Sequence, residues 1–374
     1  MSATEPMLQS IHGGPDAQGV PRFDFSTNSN ACGPCPQVLA AVQRADATRY
    51  PNPHYTALRQ ALAAFHGVNP ERVLLAASAS ECIHRISALV ARQGGGMVCL
   101  PAHHYGDYAH AAQVWGLQPV QSPQQAALLW ACEPSSPLGQ ADAGLSDSVQ
   151  ALQPNQTLVL DCAYAPLRLG GEPSLSASQR DQVWQLFTPN KALGLTGVRA
   201  AYVIAPYVAL TRATGQNTSK VLAFSALSPS WPVGVHGVAM LQAWVLPQVQ
   251  QWLCDSLQVL RGWKARQMNL LQSLGWVCQP SDANFFCAKP VLSDGVGISQ
   301  WLADLRGQGI KLRDATSFGL PGWVRLGVLE PAAQDALAQA LQGLDSRQAQ
   351  SPRYHASVNV SQTHLINVPE NSFS

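Results

Sequence analysis

From residue 73 to residue 204 the chain alternates short apolar runs with helical segments, and that alternation leaves few folds open. The runs cover 73–76, 97–100, 127–131, 157–160, 183–187 and 200–204. They lack the polar alternation of a strand with one wet face, so they read as strands buried on both sides. That calls for an α/β fold with a mostly parallel sheet and helices on each face. Helical patterns from 37 onward and at 56–65, 80–90 and 108–115 supply the covering layers, with Ser78 or Ser80 as N-cap of the third. The sequence Arg49-Tyr50-Pro51-Asn52-Pro53 breaks the first two apart. A helical stretch from about 231 to 274 leads into a smaller α/β unit: a strand, a helix at 298–307, strands at 310–313 and 323–328, and a helix at 332–343. The expected division is an N-terminal arm over 1–35, a large domain over 36–250, a small domain over 251–345 and a loose tail over 346–374.

Composition narrows the partners. Apolar residues make up 46% of 374, enough to bury a sizeable core. Charged residues are only 12%, which points to much buried or subunit-contact surface. Net charge is +1 with no basic block, which argues against nucleic acid and anionic membrane. No apolar run nears the roughly 18 residues of a membrane helix. The opening MSATEPMLQS lacks the apolar centre of a signal peptide. The nine scattered cysteines read as reduced, so a cytoplasmic protein is expected. Cys32-Gly33-Pro34-Cys35 has no second pair to complete a zinc site, and no metal is expected.

The chain holds only five lysines, Lys191, Lys220, Lys264, Lys289 and Lys311, so an amine nucleophile has few candidates. Lys191 stands in Thr188-Pro189-Asn190-Lys191-Ala192-Leu193-Gly194, with Arg199 eight residues on. A lysine that forms an imine with an aldehyde cofactor needs such a setting. The Thr188 hydroxyl and the Arg199 guanidinium can share one phosphate. A surface lysine in a turn is the plain alternative. Asp161 ends a buried run and needs a partner; a protonated pyridine nitrogen is one, and a cap on the next turn is another. Tyr164, three residues on, can reach a phenolic oxygen on the same ring. In Ala77-Ser78-Ala79-Ser80-Glu81 small residues lead from strand to helix, a setting whose free N–H groups suit a phosphate.

Together these segments resemble the fold type I pyridoxal-phosphate enzymes of aminotransferase class I/II. The thirty residues between Asp161 and Lys191 resemble the spacing in the histidinol-phosphate aminotransferase branch and the related threonine-phosphate decarboxylases of cobalamin synthesis. So do Asn28-Ser29-Asn30-Ala31-Cys32-Gly33-Pro34, Arg49-Tyr50-Pro51, Ser281-Asp282-Ala283-Asn284-Phe285, and the run from Arg313 through Gly319-Leu320-Pro321-Gly322-Trp323 to Arg325. His12-Gly13-Gly14 resembles a segment near the start of the decarboxylases.

The resemblance implies a seven-stranded, mostly parallel sheet with a small α/β domain, pyridoxal 5′-phosphate as cofactor, and a homodimer. It makes Lys191 the imine-forming lysine and proton carrier, with Asp161 and Tyr164 tuning the ring and Tyr105 stacking on it. Ser78, the Ala79 N–H, Ser80, Thr188 and Arg199 hold the cofactor phosphate, and Tyr50 reaches the neighbouring subunit's phosphate. Asn30, Arg313, Arg325 and His12 fall at the substrate end. Ser135-Ser136 stands where the family has Asn-Asn, so the shorter Ser136 reaches the ring's phenolic oxygen only through water. The implied activity is amino transfer on a small amino acid or amine, with or without a phosphate. The alternatives are decarboxylation of threonine phosphate and a cofactor-binding regulatory module without catalysis.

Overall fold

The short apolar runs of the first half pair into one central sheet. The computed structural model describes residues 13–210, 219–292 and 295–350. Its strands in chain order are β1 (Phe23–Asp24), β2 (Val73–Ala76), β3 (Met97–Cys99), β4 (Gln118–Val120), β5 (Leu128–Cys132), β6 (Thr157–Asp161), β7 (Trp184–Phe187), β8 (Ala201–Ile204), β9 (Val277–Cys278), β10 (Phe285–Lys289), β11 (Ile310–Lys311), β12 (Arg313–Asp314) and β13 (Val324–Gly327). Seven of them form the main sheet in the order β2-β8-β7-β6-β5-β3-β4. The strands from β4 to β7 run parallel, and β8 lies antiparallel to both β7 and β2. The sheet of the expected fold is thus present, and β5 and β6 at its centre are buried at every residue.

Both faces are covered. Helix α1 (Ala79–Arg92) leaves β2 through Ser78, whose hydroxyl accepts the Glu81 N–H at 3.1 Å and so caps the first turn. Its apolar stripe, Cys82, Ile83, Ile86 and Leu89, packs on one side of the sheet with Leu74, Val98, Leu128 and Trp184. Leu129, Leu158, Leu160 and Val183 face the other side. Helix α2 (Gly106–Val114) follows β3 and sets Tyr105 just ahead of its first turn.

A second sheet of four antiparallel strands, β12-β13-β10-β9, places the two-residue β12 at its edge. Long helix α3 (Pro247–Ser273) and final helix α4 (Pro331–Gln350) pack against each other beside it.

Three elements depart from the sequence pattern. The helical stretch expected from 231 to 274 is two helices, Val235–Trp244 and α3. Pro247 has no N–H to continue the first but fits the opening turn of the second. The strand expected at 310–313 divides at Leu312: β11 pairs in parallel with β1, and β12 pairs with β13. Helix α4 continues to Gln350, past the point where apolar spacing fades. Residues 351–374, the rest of the expected tail, lie outside the described residues.

Candidate active site

A cavity of about 700 Å³ opens at the carboxyl ends of β2, β5, β6 and β7, where open parallel sheets bind ligands. Lys191 stands in the turn that follows β7. That turn is braced from below: Asn30 N donates to Lys191 O at 2.9 Å, and Cys35 N donates to Leu193 O at 2.9 Å. Gly194 takes φ +67° and faces Gly33 so closely that a Cβ would meet the Gly33 Cα at 2.8 Å. Only glycine lets the two loops approach this far. The Lys191 Nζ lies 5.5 Å from the centre of the Tyr164 ring.

Asp161 closes the floor. It is 4% exposed; one oxygen accepts the Tyr108 hydroxyl at 2.7 Å and the other accepts the Ala163 N–H at 2.9 Å. Burial pushes its carboxyl up, against the downward pull of those two donors and of Lys191. A cation in the cavity is the partner this carboxylate lacks. The Tyr164 hydroxyl accepts from Asn28 Nδ2 at 3.2 Å.

The residues at the start of α1 fit a phosphate. The first-turn N–H groups of Ala79 and Ser80 have no partner within the helix. The Thr188 hydroxyl is buried without a hydrogen bond, and Arg199 lies on the same wall. These are the groups that a pyridoxal-phosphate cofactor requires, with a lysine amine and a buried carboxylate at the far end of the ring site. Ser80 departs from its expected role: its hydroxyl donates to Asp107 Oδ2, so its contribution to a phosphate falls to the backbone N–H.

The other end of the cavity belongs to the small sheet. Arg313 and Arg325 are opposite one another across β12 and β13. Both are buried, at 5% and 7% exposure. Arg325 donates to Ser26 O at 3.1 Å and Ser136 Oγ at 3.4 Å, while its Nε is buried without a partner. Arg313 donates to Asp314 O and Ser317 Oγ; burial, then the nearby Arg325 charge, push it down to about 10. Both guanidinium groups lie by the Phe318 ring, at 4.7 Å and 5.3 Å. His103 ties that ring's backbone to the loop after β3 through Nδ1 and Phe318 O at 2.7 Å.

Ser78, Ala79, Ser80, Tyr105, Ser136, Asp161, Tyr164, Thr188, Lys191, Arg199, Arg313 and Arg325 all line this cavity. Two expected residues do not. Asn30 is spent on structure: its Nδ2 donates to Ala192 O and its Oδ1 accepts the Cys32 N–H. Asn28, two residues earlier in the same motif, takes the place in the wall. Tyr50 is 78% exposed and stacks on Trp231, with ring centres 4.5 Å apart, away from the cavity. His12 lies outside the described residues, although its neighbour Gly13 lines the cavity. Sequence reasoning also passed over Tyr108, Asp107 and Phe318. The first two follow Tyr105 in the opening of α2, and a Tyr-x-x-Tyr spacing at a helix start was the available signal. Among the described residues, no group of three or more metal-binding side chains comes together, and no helix is long and apolar enough to cross a membrane.

Residues 21–341 match the family model of aminotransferase class I and II. The chain belongs to that family. It is accordingly an enzyme of the aminotransferase kind, with pyridoxal 5′-phosphate as its cofactor. A histidinol-phosphate aminotransferase from Jannaschia sp. is 27% identical over 344 residues, covering 86% of this chain and 90% of the relative. The fold matches that of a histidinol-phosphate aminotransferase from Sinorhizobium meliloti, solved with pyridoxal-5′-phosphate. The TM-score is 0.73 at 21% identity, covering 93% of this chain and 99% of that one. The fold of an L-threonine-O-3-phosphate decarboxylase from Porphyromonas gingivalis is also similar: TM-score 0.71, 19% identity, 86% and 99% covered.

Proposed function

We propose that this enzyme transfers an amino group between a phosphorylated amine of the histidinol-phosphate type and a 2-oxo acid, as a cytoplasmic homodimer. The observation that carries the reading is the pair Arg313 and Arg325, opposite one another across β12 and β13 and buried in the cavity wall. Two buried cations there favour a substrate that brings a phosphate or a carboxylate. The names of the relatives that span most of the chain support the same substrate class.

When bound, the cofactor supplies an aldehyde that takes up the substrate amine and a cationic ring that draws electrons from the substrate Cα. The chain's residues do the rest. Lys191 would hold the cofactor through its amine and would move the Cα proton. Asp161 would keep a proton on the ring nitrogen. Tyr164 would support the phenolic oxygen, and Tyr105 would cover the ring. Ala79, Thr188 and Arg199 would hold the phosphate. Arg325 clamps the substrate anion, with Arg313 beside it and Phe318 excluding water. Tyr50, exposed beside Trp231, would serve a second subunit.

Decarboxylation of O-phospho-L-threonine is a second reading. One observation favours it: Gly13, of the motif shared with the decarboxylases, lines the cavity and packs so tightly on Ser26 that a Cβ would meet Ser26 O at 2.2 Å. The test gives the loaded enzyme each substrate in turn. Glutamate formation from histidinol phosphate and 2-oxoglutarate is expected. Release of CO₂ from O-phospho-L-threonine with no amino transfer from either donor would replace the first reading with the second.

A further inference from the structure

The Asp161 carboxylate is held by a residue outside the cavity wall. Tyr108 is fully buried and sits in the first turn of α2, three residues after Tyr105. Its ring lies flat on Trp130, with centres 4.5 Å apart and planes 9° apart, and meets Tyr105 edge-on at 5.9 Å. These contacts leave the hydroxyl one direction to point, and it donates to Asp161 Oδ2 at 2.7 Å. The Ala163 N–H occupies the other oxygen at 2.9 Å. Each carboxylate oxygen has two lone pairs, so the two donors leave one on each oxygen for a further partner.

We propose that Tyr108 is a positioning residue that keeps Asp161 ionised and aimed at the cofactor's ring nitrogen. The inference rests on the cofactor assignment above. Its physical basis is a conflict at one carboxyl group. Complete burial favours the protonated acid, and a protonated acid cannot pair with a cationic ring. A phenol donor stabilises the anion by a charge-assisted hydrogen bond and so opposes the burial. The other groups facing Asp161 do not do this job. Lys191 pulls its carboxyl down through space, while Asp107, from the same turn of α2, pushes it up. Cys132 of β5, Cys162 beside Asp161 and Cys82 of α1 are thiols that burial keeps neutral. Tyr108 is itself pushed well up by burial and by the Asp161 charge, so it stays a donor. The same turn also presents Tyr105 to the cavity, so one helix start sets both the ring's cover and its acid partner.

The test measures cofactor affinity against pH on cofactor-free enzyme. Free pyridoxal 5′-phosphate carries a protonated ring nitrogen on the acid side of neutrality, so affinity falls once Asp161 is protonated. Tyr108→Phe keeps the ring on Trp130 and removes only the hydroxyl. It is expected to move the acid limb of affinity up by about one pH unit, which is about a tenfold loss on that limb. Trp130→Phe loosens the packing but keeps the hydroxyl, and it is expected to leave the limb in place. An unmoved limb in Tyr108→Phe overturns the proposal, and so does an equal shift in both variants. If Tyr108→Phe does not fold, a fluorotyrosine placed at position 108 tests the same bond with opposite sign. Its more acidic phenol donates more strongly and is expected to lower the limb; no shift overturns the proposal. Failure of the wild-type enzyme to bind pyridoxal 5′-phosphate at any pH would overturn the cofactor assignment as well.

Discussion

The two ends of the cavity are built in different ways. At the cofactor end, Asp161, Thr188 and Lys191 come from the carboxyl ends of neighbouring parallel strands or the turns just beyond them. Their backbones are held by the most extensive ladder in the molecule. At the substrate end, Arg313 and Arg325 come from a small antiparallel sheet and lean on backbone carbonyls, serine hydroxyls and one phenylalanine ring. The cofactor end offers one buried anion; the substrate end offers two buried cations. A site so divided can keep one reaction type while its substrate changes, because each end recognises charge of opposite sign on a separate scaffold.

The largest expected effect breaks the cofactor end. Lys191→Ala is expected to lower kcat by about 10⁴-fold or more, since it removes both the amine and the proton carrier. Mass spectrometry after borohydride reduction should then find no cofactor attached to the chain. Attachment that persists would place the amine on another lysine. Asp161→Asn comes next, with about a 10³-fold loss in kcat and weakened cofactor retention on gel filtration. The neutral amide cannot hold a charged ring nitrogen.

The substrate end should behave differently. Arg325→Ala is expected to lower kcat/KM by about 100-fold for a phosphorylated donor while leaving the bound cofactor's absorption spectrum unchanged. An equal loss with an uncharged donor would mean that Arg325 serves the fold and not the anion. Its neighbour gives a pH signature. Burial and the Arg325 charge push Arg313 down to about 10, below which it is charged. KM for an anionic substrate is therefore expected to rise as pH climbs through about 10, and to stay flat for a neutral one. The smallest effect tests the seam between the ends. Ser136→Asn lengthens the side chain that Arg325 donates to and returns an amide to the ring's edge. A shift in the cofactor spectrum with only a few-fold change in kcat is expected; an unchanged spectrum would show that position 136 does not reach the ring.

The cofactor end was largely legible in the sequence because its chemistry sits on regular elements. A buried strand shows as an apolar run, its end is marked by Asp161, and the scarcity of lysine singles out Lys191. The helix cap was legible as Ser78 or Ser80, and Ser78 takes it. The substrate end was harder, because tertiary contacts decide it. The motif Asn28-Ser29-Asn30 marks the right loop, yet the backbone turn there sends Asn30 inward to Ala192 and gives Asn28 to the cavity. The run at 310–313 reads as one strand, and nothing local reveals that Leu312 parts it between two sheets. The edge strand β4, Gln118-Pro119-Val120, escaped notice because it is short and carries a proline, which only an edge tolerates. Ser80 was read by residue type alone; its hydroxyl meets Asp107 from a helix twenty-odd positions away.

The two-residue strand that carries Arg313 has a neighbour on one side only. Lengthening or shortening it beyond Asp314 disturbs only its ladder with β13 and leaves the seven-stranded sheet untouched. For an engineer, or for mutation and selection over time, that margin is the adjustable jaw of the enzyme. If Arg313 holds the substrate anion as proposed, the grip on new anions can be reshaped there while the reactive centre stays as it is.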